Sequence, residues 1–371
     1  MNELVYDQKE NIYYKNPDER TWILEQRLLQ HKSIKNDDLS SIKKWRNHLN
    51  DYLFHSRGAL CKEIFDSPYC KSETRKFPLN LDTFIKSDWE KIEKWKKILL
   101  IKMHCFLSTH PLIKSQRISV QFIGSIGSKD PLPYSDLDCL IILPSLDNWD
   151  LNNMVELKKL YSVINYYAYV FDPLQHHGAF VLTETELING FHSFYPMNLL
   201  DKAWGYGRDH YFSSSYSIQN QGCMNFINNN QFLRRMNYQH ELPNSLYNMK
   251  YILSSIFLIP VYYYNAKNEF YCKKNSIEKI IKSDDTIGNN FNWISRIRRN
   301  WQSSSFPILK NIILKAGINF YPIKDLDLFN RRIEYHLRSG KNKSLLLKAT
   351  EIISRGNSIS DILLNKLVQN S

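Results

Sequence analysis

The chain has 371 residues, of which 49 are Lys or Arg and 37 are Asp or Glu, so its formal net charge is +12. A hydrophobic content of 43%, including 13% aromatic residues, is enough to build a large core and excludes wholesale disorder. Only 12 glycines and 13 prolines exclude collagen-like and low-complexity architectures.

The compartment is predicted from the cysteines and the apolar runs. Six scattered cysteines without a Cys-x-x-Cys pair argue against zinc ribbons and disulfide frameworks. The longest apolar run, residues 251–264, contains Pro260 and is shorter than the roughly 20 residues of a membrane span. The first residues lack the basic and apolar parts of a secretory signal. We therefore expect a soluble cytoplasmic protein without a membrane partner.

The positive charge is concentrated in the second part of the chain. Residues 1–200 carry 25 basic and 25 acidic side chains, whereas residues 201–371 carry 24 basic and 12 acidic ones. A basic region attracts phosphate-bearing partners because neutralising phosphates releases counterions. The asymmetry indicates either RNA or another phosphate-bearing partner, or merely a solvated lysine-rich surface.

Three regions follow one another along the chain. Residues 1–110 show helical periodicity and are predicted to pack on the core as a helical N-terminal region. Residues 111–225 alternate strand and helix patterns and are predicted to form an αβ domain. Residues 226–371 are predicted to form a basic helical lobe. The predicted fold class is α+β, with a small mixed sheet flanked by helical regions.

The central region supplies the predicted strands. Residues 118–123 alternate apolar and polar side chains, and residues 137–143 form a nearly continuous apolar run typical of a strand buried on both faces. Residues 151–165 have helical periodicity, and residues 166–171 and 178–182 are predicted to be two further strands. In the C-terminal region, helices are predicted within residues 245–264, 274–283, 289–301 and 344–355.

Two acids, Asp136 and Asp138, stand at the beginning of the second apolar strand. Alternate residues of a strand point to the same face, so their carboxylates are predicted to lie side by side, with Leu137 on the opposite face. Two adjacent carboxylates favour a hard divalent cation. Mg²⁺ is the natural choice, and it usually retains waters and also binds substrate phosphates.

Gly124 and Ser125 end the first strand. Glycine allows the backbone to approach an anion closely, and a serine hydroxyl with adjacent N–H groups can hold phosphate oxygens. A triphosphate at this bend and metal at the two aspartates would place a phosphoryl group for in-line attack by an acceptor hydroxyl. Two-metal phosphoryl transfer then requires a third carboxylate nearby.

The third carboxylate is not fixed by the pattern. Asp172 follows one predicted strand and Glu184 follows the other, and Asp172 is the first choice. His176 and His177 lie between them, where they form either a metal or general-base cluster or an ordinary turn.

The Ile-Gly-Ser of the first strand, followed after ten residues by Asp-Leu-Asp-Cys-Leu, resembles the signature of the DNA polymerase β-like nucleotidyltransferase superfamily. The resemblance covers residues 118–143 well and extends loosely to about residue 190. It implies a mixed sheet with flanking helices, two Mg²⁺ ions, and transfer of a nucleoside monophosphate from a nucleoside triphosphate such as ATP with release of pyrophosphate. It also implies that Gly124 and Ser125 bind the triphosphate and that Asp136 and Asp138 hold the metal.

The basic region contains two further candidate sets. Lys273 and Ser276, at a predicted helix start, are candidates for gripping the triphosphate from a second lobe. A second set, rich in arginine and tryptophan, is a candidate for binding a nucleic-acid backbone: Arg296, Arg298, Arg299, Trp293 and Trp301. Both sets also suit packed or solvated helix faces.

The sequence therefore predicts a Mg²⁺-dependent nucleotidyltransferase acting on an acceptor hydroxyl or phosphate. The acceptor stays open among a small molecule, another nucleotide, a protein hydroxyl and an RNA end. The alternative is a catalytically inactive module that keeps the nucleotidyltransferase fold and binds RNA or a nucleotide.

Overall fold

The computed structural model of the chain describes residues 5–7, 12–14, 43, 46–47, 72–76, 94–127, 131–132, 134–144, 146, 149–172, 179–184, 203–208, 211–215, 219–238, 246–267, 269, 271–300 and 348–369. The chain divides into two compact units. The first, here called the sheet unit, comprises Leu24–Tyr216 and Asn300–Leu326. The second, here called the helical unit, comprises Met1–Ile23, Ser217–Arg299 and Asp327–Ser371.

The elements alternate between strand and helix in the middle of the chain and are mostly helical after it. In chain order they are β1 (Val5–Asp7), β2 (Ile12–Tyr14), β3 (Ser72–Lys76), α1 (Lys94–Thr109), α2 (Pro111–Lys114), β4 (Ser119–Phe122), α3 (Gly124–Gly127), β5 (Cys139–Leu143), α4 (Leu151–Phe171), β6 (Phe180–Thr183), β7 (Trp204–Gly207), β8 (Tyr211–Ser215), α5 (Gln219–Tyr238), α6 (Leu246–Ala266), α7 (Lys273–Ser283), α8 (Asp285–Arg299) and α9 (Ala349–Gln369).

The sheet unit is built on a four-stranded mixed sheet with the strand order β6-β5-β4-β7. Strand β4 is antiparallel to both β5 and β7, with Phe122 opposite Cys139 on one side and Trp204 on the other. Strands β5 and β6 are parallel and are joined by the long helix α4. A parallel pair requires such a crossover, because a tight turn cannot return the chain to the same edge.

The two faces of the sheet carry different clusters. One face packs against α1 and α4, and its buried residues include Leu137, Cys139 and Ile141. The other face carries a smaller cluster that includes Leu140 and Ile142. Every residue of β5 is buried, which explains the continuous apolar run of its sequence.

The strands predicted at residues 118–123, 137–143 and 178–182 are confirmed by β4, β5 and β6. The strand predicted at residues 166–171 is wrong, because these residues form the last part of α4. Several of their side chains are buried: Tyr167, Ala168, Val170 and Phe171. A helix end buried on most sides shows a continuous apolar run, which periodicity cannot distinguish from a buried strand.

The N-terminal region contains strands that its helical periodicity did not predict. Strands β1 and β2 form an antiparallel hairpin, and β3 pairs with the distant β8 through Ser72 and Ser215. Strands β1 and β2 have only three residues each, and β3 consists of polar residues alone, so none of them shows an apolar strand pattern. Helix α1 packs into the sheet core through Leu99 and Met103. Most of residues 15–93, on which the helical prediction for this region rests, lie outside the described part of the chain.

The helical unit contains α5 to α9. The C-terminal helix predictions are confirmed by α6, α7, α8 and α9, whereas α5 was not predicted as a separate helix. Helix α6 continues through Pro260, and its buried face includes Ile252 and Ile256. Within the described part of the chain, no helix combines the length and the apolarity that crossing a membrane requires. Helices and a small mixed sheet together make the fold class α+β.

Candidate active site at the β4–β5 bend

The bend that follows β4 brings a glycine against an acid. The Ile123 N–H donates to the Asp138 carbonyl at 3.0 Å, which extends the β4–β5 pairing by one step beyond the strands. Gly124 then has φ +66, a left-handed conformation that favours glycine. A Cβ added at Gly124 would lie 3.2 Å from the Cγ of Asp138 and would overlap its Oδ2. The carboxylate of Asp138 therefore occupies the space that a side chain at position 124 would take.

The two aspartates alternate in burial with their neighbours. Leu137 is 1% exposed and Cys139 is fully buried, whereas Asp136 and Asp138 are half-buried. Strand β5 begins at Cys139, so the aspartates precede the regular strand rather than lying within it. The alternation nevertheless continues through them. It assigns both carboxylates to the face opposite the α1 and α4 helices.

The approach to the aspartates is fixed by a turn. The Leu132 N–H donates to Ser135 Oγ at 2.8 Å, and the Ser135 N–H donates to the Leu132 carbonyl at 2.9 Å. Tyr134 and Ser135 are 3% and 4% exposed. This local hydrogen bonding restricts the backbone just before Asp136, so the acid is held by a closed turn rather than by an open loop.

Helix α3 is fastened to the sheet. The Trp204 Nε1–H donates to the Ile126 carbonyl at 3.1 Å, and the Trp204 ring stacks on Phe122 with centroids 4.4 Å apart. The Gly127 N–H donates to the Ile123 carbonyl at 3.0 Å. The bend that carries Gly124 and Ser125 is therefore anchored by β4 and β7.

Cys139, next to the acids, is not a candidate thiolate. Burial, and after it the nearby charge of Asp138, raises the pKa of its thiol well above the usual range. A neutral, fully buried thiol is neither a nucleophile nor a metal ligand. Cys139 therefore adds neither a sulfur ligand nor a nucleophile beside the two aspartates.

The two candidate third acids lie towards opposite ends of the parallel strands β5 and β6. Asp172 caps the C-terminus of α4, where its N–H donates to the Ala168 carbonyl at 3.0 Å, and it is 4% exposed. A crossover between parallel strands returns the chain to the end of the sheet at which the first strand began. Asp172 therefore lies towards the end of the sheet at which β5 and β6 begin, which is also the end of β5 that Asp136 and Asp138 precede.

Glu184 follows the last residue of β6, Thr183, which pairs with Leu143 at the far end of β5. Glu184 lies one position beyond that level, so six strand positions, or about 20 Å of extended chain, separate it from Asp138. Glu184 instead forms an ion pair with Arg208. The structure thus does not bring Glu184 together with the two aspartates.

His176 and His177 lie outside the described residues, as does Trp301. Among the residues that are described, no three His, Cys, Asp or Glu side chains gather as a metal-binding group. Metal binding by Asp136 and Asp138 stays a prediction.

The candidates of the basic region lie in the helical unit. Lys273 is the first residue of α7. Ser276 is fully buried, and its hydroxyl donates to the Lys273 carbonyl at 2.9 Å. In this conformation the Ser276 hydroxyl is used within the helix, and its contact with a triphosphate stays a prediction.

Sequence reasoning missed Gln121 of β4. Both polar atoms of its side chain are buried, and neither has a hydrogen-bond partner among the described residues. Gln121 is paired with Leu140 of β5, so its side chain belongs to the same face of the sheet as the side chains of Leu140 and Asp138. Its signal was the polar position in the alternating strand, which suggested exposure to water. A buried unpaired amide in a central strand is costly and requires an explanation.

No protein-family model matches the chain, and no curated protein matches it.

Proposed function

We propose that the chain is a Mg²⁺-dependent nucleotidyltransferase that moves a nucleoside monophosphate from a nucleoside triphosphate to an acceptor and releases pyrophosphate. The observation that carries the proposal is the contact between the Asp138 carboxylate and Gly124 at the β4–β5 bend. It joins a carboxylate to a small-residue turn, which are the two halves of a metal–triphosphate site.

The order of elements around this contact supports the proposal. A strand, a short Gly-Ser helix, an Asp-x-Asp strand, a crossover helix and a parallel strand follow one another in β4, α3, β5, α4 and β6. This is the mixed sheet with flanking helices that the resemblance to the DNA polymerase β-like superfamily implies.

The residues at the bend fit Mg²⁺ and phosphate. Asp136 and Asp138 offer half-exposed carboxylate oxygens, the donors that Mg²⁺ prefers, and they would hold the ions. When bound, the ions neutralise charge that develops on the transferred phosphoryl group. Asp172 is the candidate third carboxylate because the crossover helix ends towards the end of β5 that Asp136 and Asp138 precede.

The chain's own groups would orient the triphosphate. Gly124 leaves room beside Asp138 because it has no side chain, and half-exposed Ser125 supplies a hydroxyl and an N–H to phosphate oxygens. Anchoring of the bend by Trp204 keeps these donors in place before the substrate arrives. Such positioning is the main contribution of a protein to phosphoryl transfer.

The acceptor we propose is a phosphate-bearing molecule, with RNA as the leading class. The support is the excess of basic over acidic residues, 24 against 12, within residues 201–371. We also propose that the protein works in the cytoplasm, since the four cysteines in the described part of the chain are free thiols.

The proposal is tested by pyrophosphate release from each of the four nucleoside triphosphates with Mg²⁺, on the full-length chain. Asp136→Asn and Asp138→Asn are each expected to lower release at least about 100-fold, because a carboxylate ligand is lost. The matched control is Asp150→Asn. Asp150 caps α4 by accepting from the Asn153 N–H at 2.8 Å, and asparagine caps equally well.

Retained turnover in both aspartate variants would contradict the proposal, as would equal loss in the Asp150→Asn control. Wild-type protein that binds a nucleotide without releasing pyrophosphate would also overturn the enzyme, and it would support the inactive binding module instead. Chelation of Mg²⁺ is expected to abolish release, and re-addition is expected to restore it.

A further inference from the structure

A cavity of about 370 Å³ lies between α8 and α9 in the helical unit. The described residues that line it are polar or aromatic, include three arginines and include no acid: Asn289, Asn292, Trp293, Arg296, Arg299 and Arg355. The volume lies within the range of small-molecule sites in proteins. The cavity belongs to the helical unit alone and shares no residue with the β4–β5 bend.

The cavity wall follows from the amphipathic pattern of α8. The buried face of the helix includes Ile287, Phe291 and Ile294. The polar residues from Asn289 to Arg299 recur every three or four positions and form one stripe along the other side. Folding therefore aligns the lining residues of α8 instead of scattering them around the helix.

Arg355 of α9 is held in place by its neighbours. Its Nε and Nη2 donate to Glu351 Oε1 at 3.0 and 2.8 Å, and its Nη1 donates to Asn290 Oδ1 at 3.0 Å. The guanidinium lies over the Trp293 ring at 4.5 Å. Three of five N–H donors are used in these bonds, so a fixed, planar cation remains able to donate to a ligand.

Arg296 and Arg299 supply exposed charge at the same cavity. Arginines in the last turn of a helix interact favourably with the helix dipole, which gives them a structural reason to be there. That reason does not account for their convergence with Arg355, from another helix, on one cavity. Convergent guanidinium groups match the oxygens of a phosphate.

We propose that this cavity binds the phosphate and base of a nucleotide, either free or as a unit of single-stranded RNA. Arg296 and Arg299 contact the phosphate. The stacked pair of Trp293 and Arg355 offers a planar surface for a base, and the Asn289 and Asn292 amides supply the donors and acceptors that a base edge requires.

Binding is measured by fluorescence anisotropy of a labelled single-stranded RNA on the full-length chain, in EDTA. Without Mg²⁺ the assay does not depend on the aspartate pair, so its failure is distinguishable from failure of the proposed transferase activity. The double variant Arg296→Gln/Arg299→Gln is expected to raise Kd at least tenfold. It should also reduce the slope of log K against log salt by about 1.4, from two lost phosphate contacts.

The matched control is Arg234→Gln/Arg235→Gln on α5, which removes the same charge from the same unit away from the cavity. Its Kd is expected to change less than threefold. Equal loss in both double variants would overturn the proposal, because the binding would then be non-specific electrostatics. No binding of any probe would overturn it too.

Competition identifies the source of the nucleotide. A nucleoside triphosphate that displaces RNA, and whose own binding needs Arg296 and Arg299, supports a free-nucleotide site. Displacement only by unlabelled RNA supports an RNA site. Inorganic phosphate that competes as well as the nucleotide would overturn the proposal, because the base would then contribute nothing.

Discussion

Two buried amide side chains, Asn230 in the helical unit and Gln121 in the sheet unit, differ in how their polar atoms are used. In the helical unit, Asn230 joins α5 to α9, because its Nδ2 donates to Ser360 Oγ at 2.8 Å. In the sheet unit, both polar atoms of the Gln121 side chain are buried, and neither has a hydrogen-bond partner among the described residues.

The comparison shows two effects that a buried amide has on packing and stability. Satisfied buried amides specify which helices pack together, because a mispacked arrangement would leave them unpaired. Unsatisfied ones lower stability and tend to mark positions with another role. Gln121 lies in β4, next to the bend that carries the candidate site. Four predictions compare the stability of the two units further, from the largest expected effect to the smallest.

The largest effect is expected from glycine replacement in the sheet. A Cβ at Gly205 of β7 would overlap the Val120 carbonyl and lie 2.8 Å from the Gln121 Cα, so backbone would have to move. We expect Gly205→Ala to lower the free energy of unfolding by at least about 3 kcal/mol. Urea denaturation, with hydrogen exchange of the β4 amides, measures this.

The control in the helical unit is Gly356→Ala. Its Cβ would lie 2.7 Å from the Cδ1 and Cγ1 of Ile256, a side chain that can rotate away. Alanine also gains about 1 kcal/mol of helix propensity over glycine, so the net loss is expected to be about 1 kcal/mol. Losses of equal size in the two variants would contradict the contrast between a rigid sheet and an adaptable helix pair.

The second prediction concerns acid sensitivity of the sheet unit. Burial lowers the pKa of His110 from 6.5 to about 4; the Glu156 carboxylate, 3.3 Å from its Nε2, opposes this and Lys159 reinforces it. As the pH falls, the unfolded chain therefore binds a proton at His110 at a higher pH than the folded chain does. The stabilisation is complete above pH 6.5 and is lost as the pH falls towards 4, by at most about 3 kcal/mol.

Unfolding free energies of wild type and His110→Gln measured between pH 4 and 7 check this linkage. The variant is expected to lose stability less steeply over that range. Parallel curves for the two proteins would show that His110 does not carry the acid sensitivity.

The third prediction concerns Gln121. Gln121→Met keeps the volume and removes two unpaired polar atoms, so it is expected to raise the free energy of unfolding by about 1–2 kcal/mol. Asn230→Leu in the helical unit is the matched comparison. It should lower the free energy by about 1–2 kcal/mol, because it removes the donor to Ser360. A destabilised Gln121→Met protein would contradict the assignment of strain to this side chain.

The smallest effect is expected at the surface of the helical unit. Arg234 and Asp361 form an ion pair at 2.6 Å, but their side chains are 47% and 44% exposed. Arg234→Gln is expected to lower the free energy of unfolding by less than about 1 kcal/mol, and less still at high salt. A larger, salt-independent loss would mean that this pair acts as part of the buried Asn230 network.

Local sequence patterns were enough to predict much of the fold. The strands β4, β5 and β6 and the helices α6 to α9 were visible because their sequences show an alternating pattern, a continuous apolar run or a helical period. The proximity of Gly124 to Asp138 was also accessible, since a strand that ends in Gly-Ser and a strand preceded by Asp-x-Asp pair as neighbours.

Other features depended on partners far away in the chain. Residues 166–171 belong to α4 rather than to a strand, because burial on several sides removed the helical period. The pairing of β3 with β8 joins Ser72 to Ser215, and no local pattern encodes it.

The sequence by itself therefore determined the α+β class, the Gly-Ser and Asp-x-Asp pair and the concentration of basic charge, because each of these is local. Tertiary structure alone decided that Asp172 and Glu184 lie towards opposite ends of β5 and β6, since that follows from the parallel pairing of the two strands. It also decided that Arg355 joins Arg296 and Arg299 at one cavity. The physical reason is the same in both cases: which side chains meet is set by how distant elements pack.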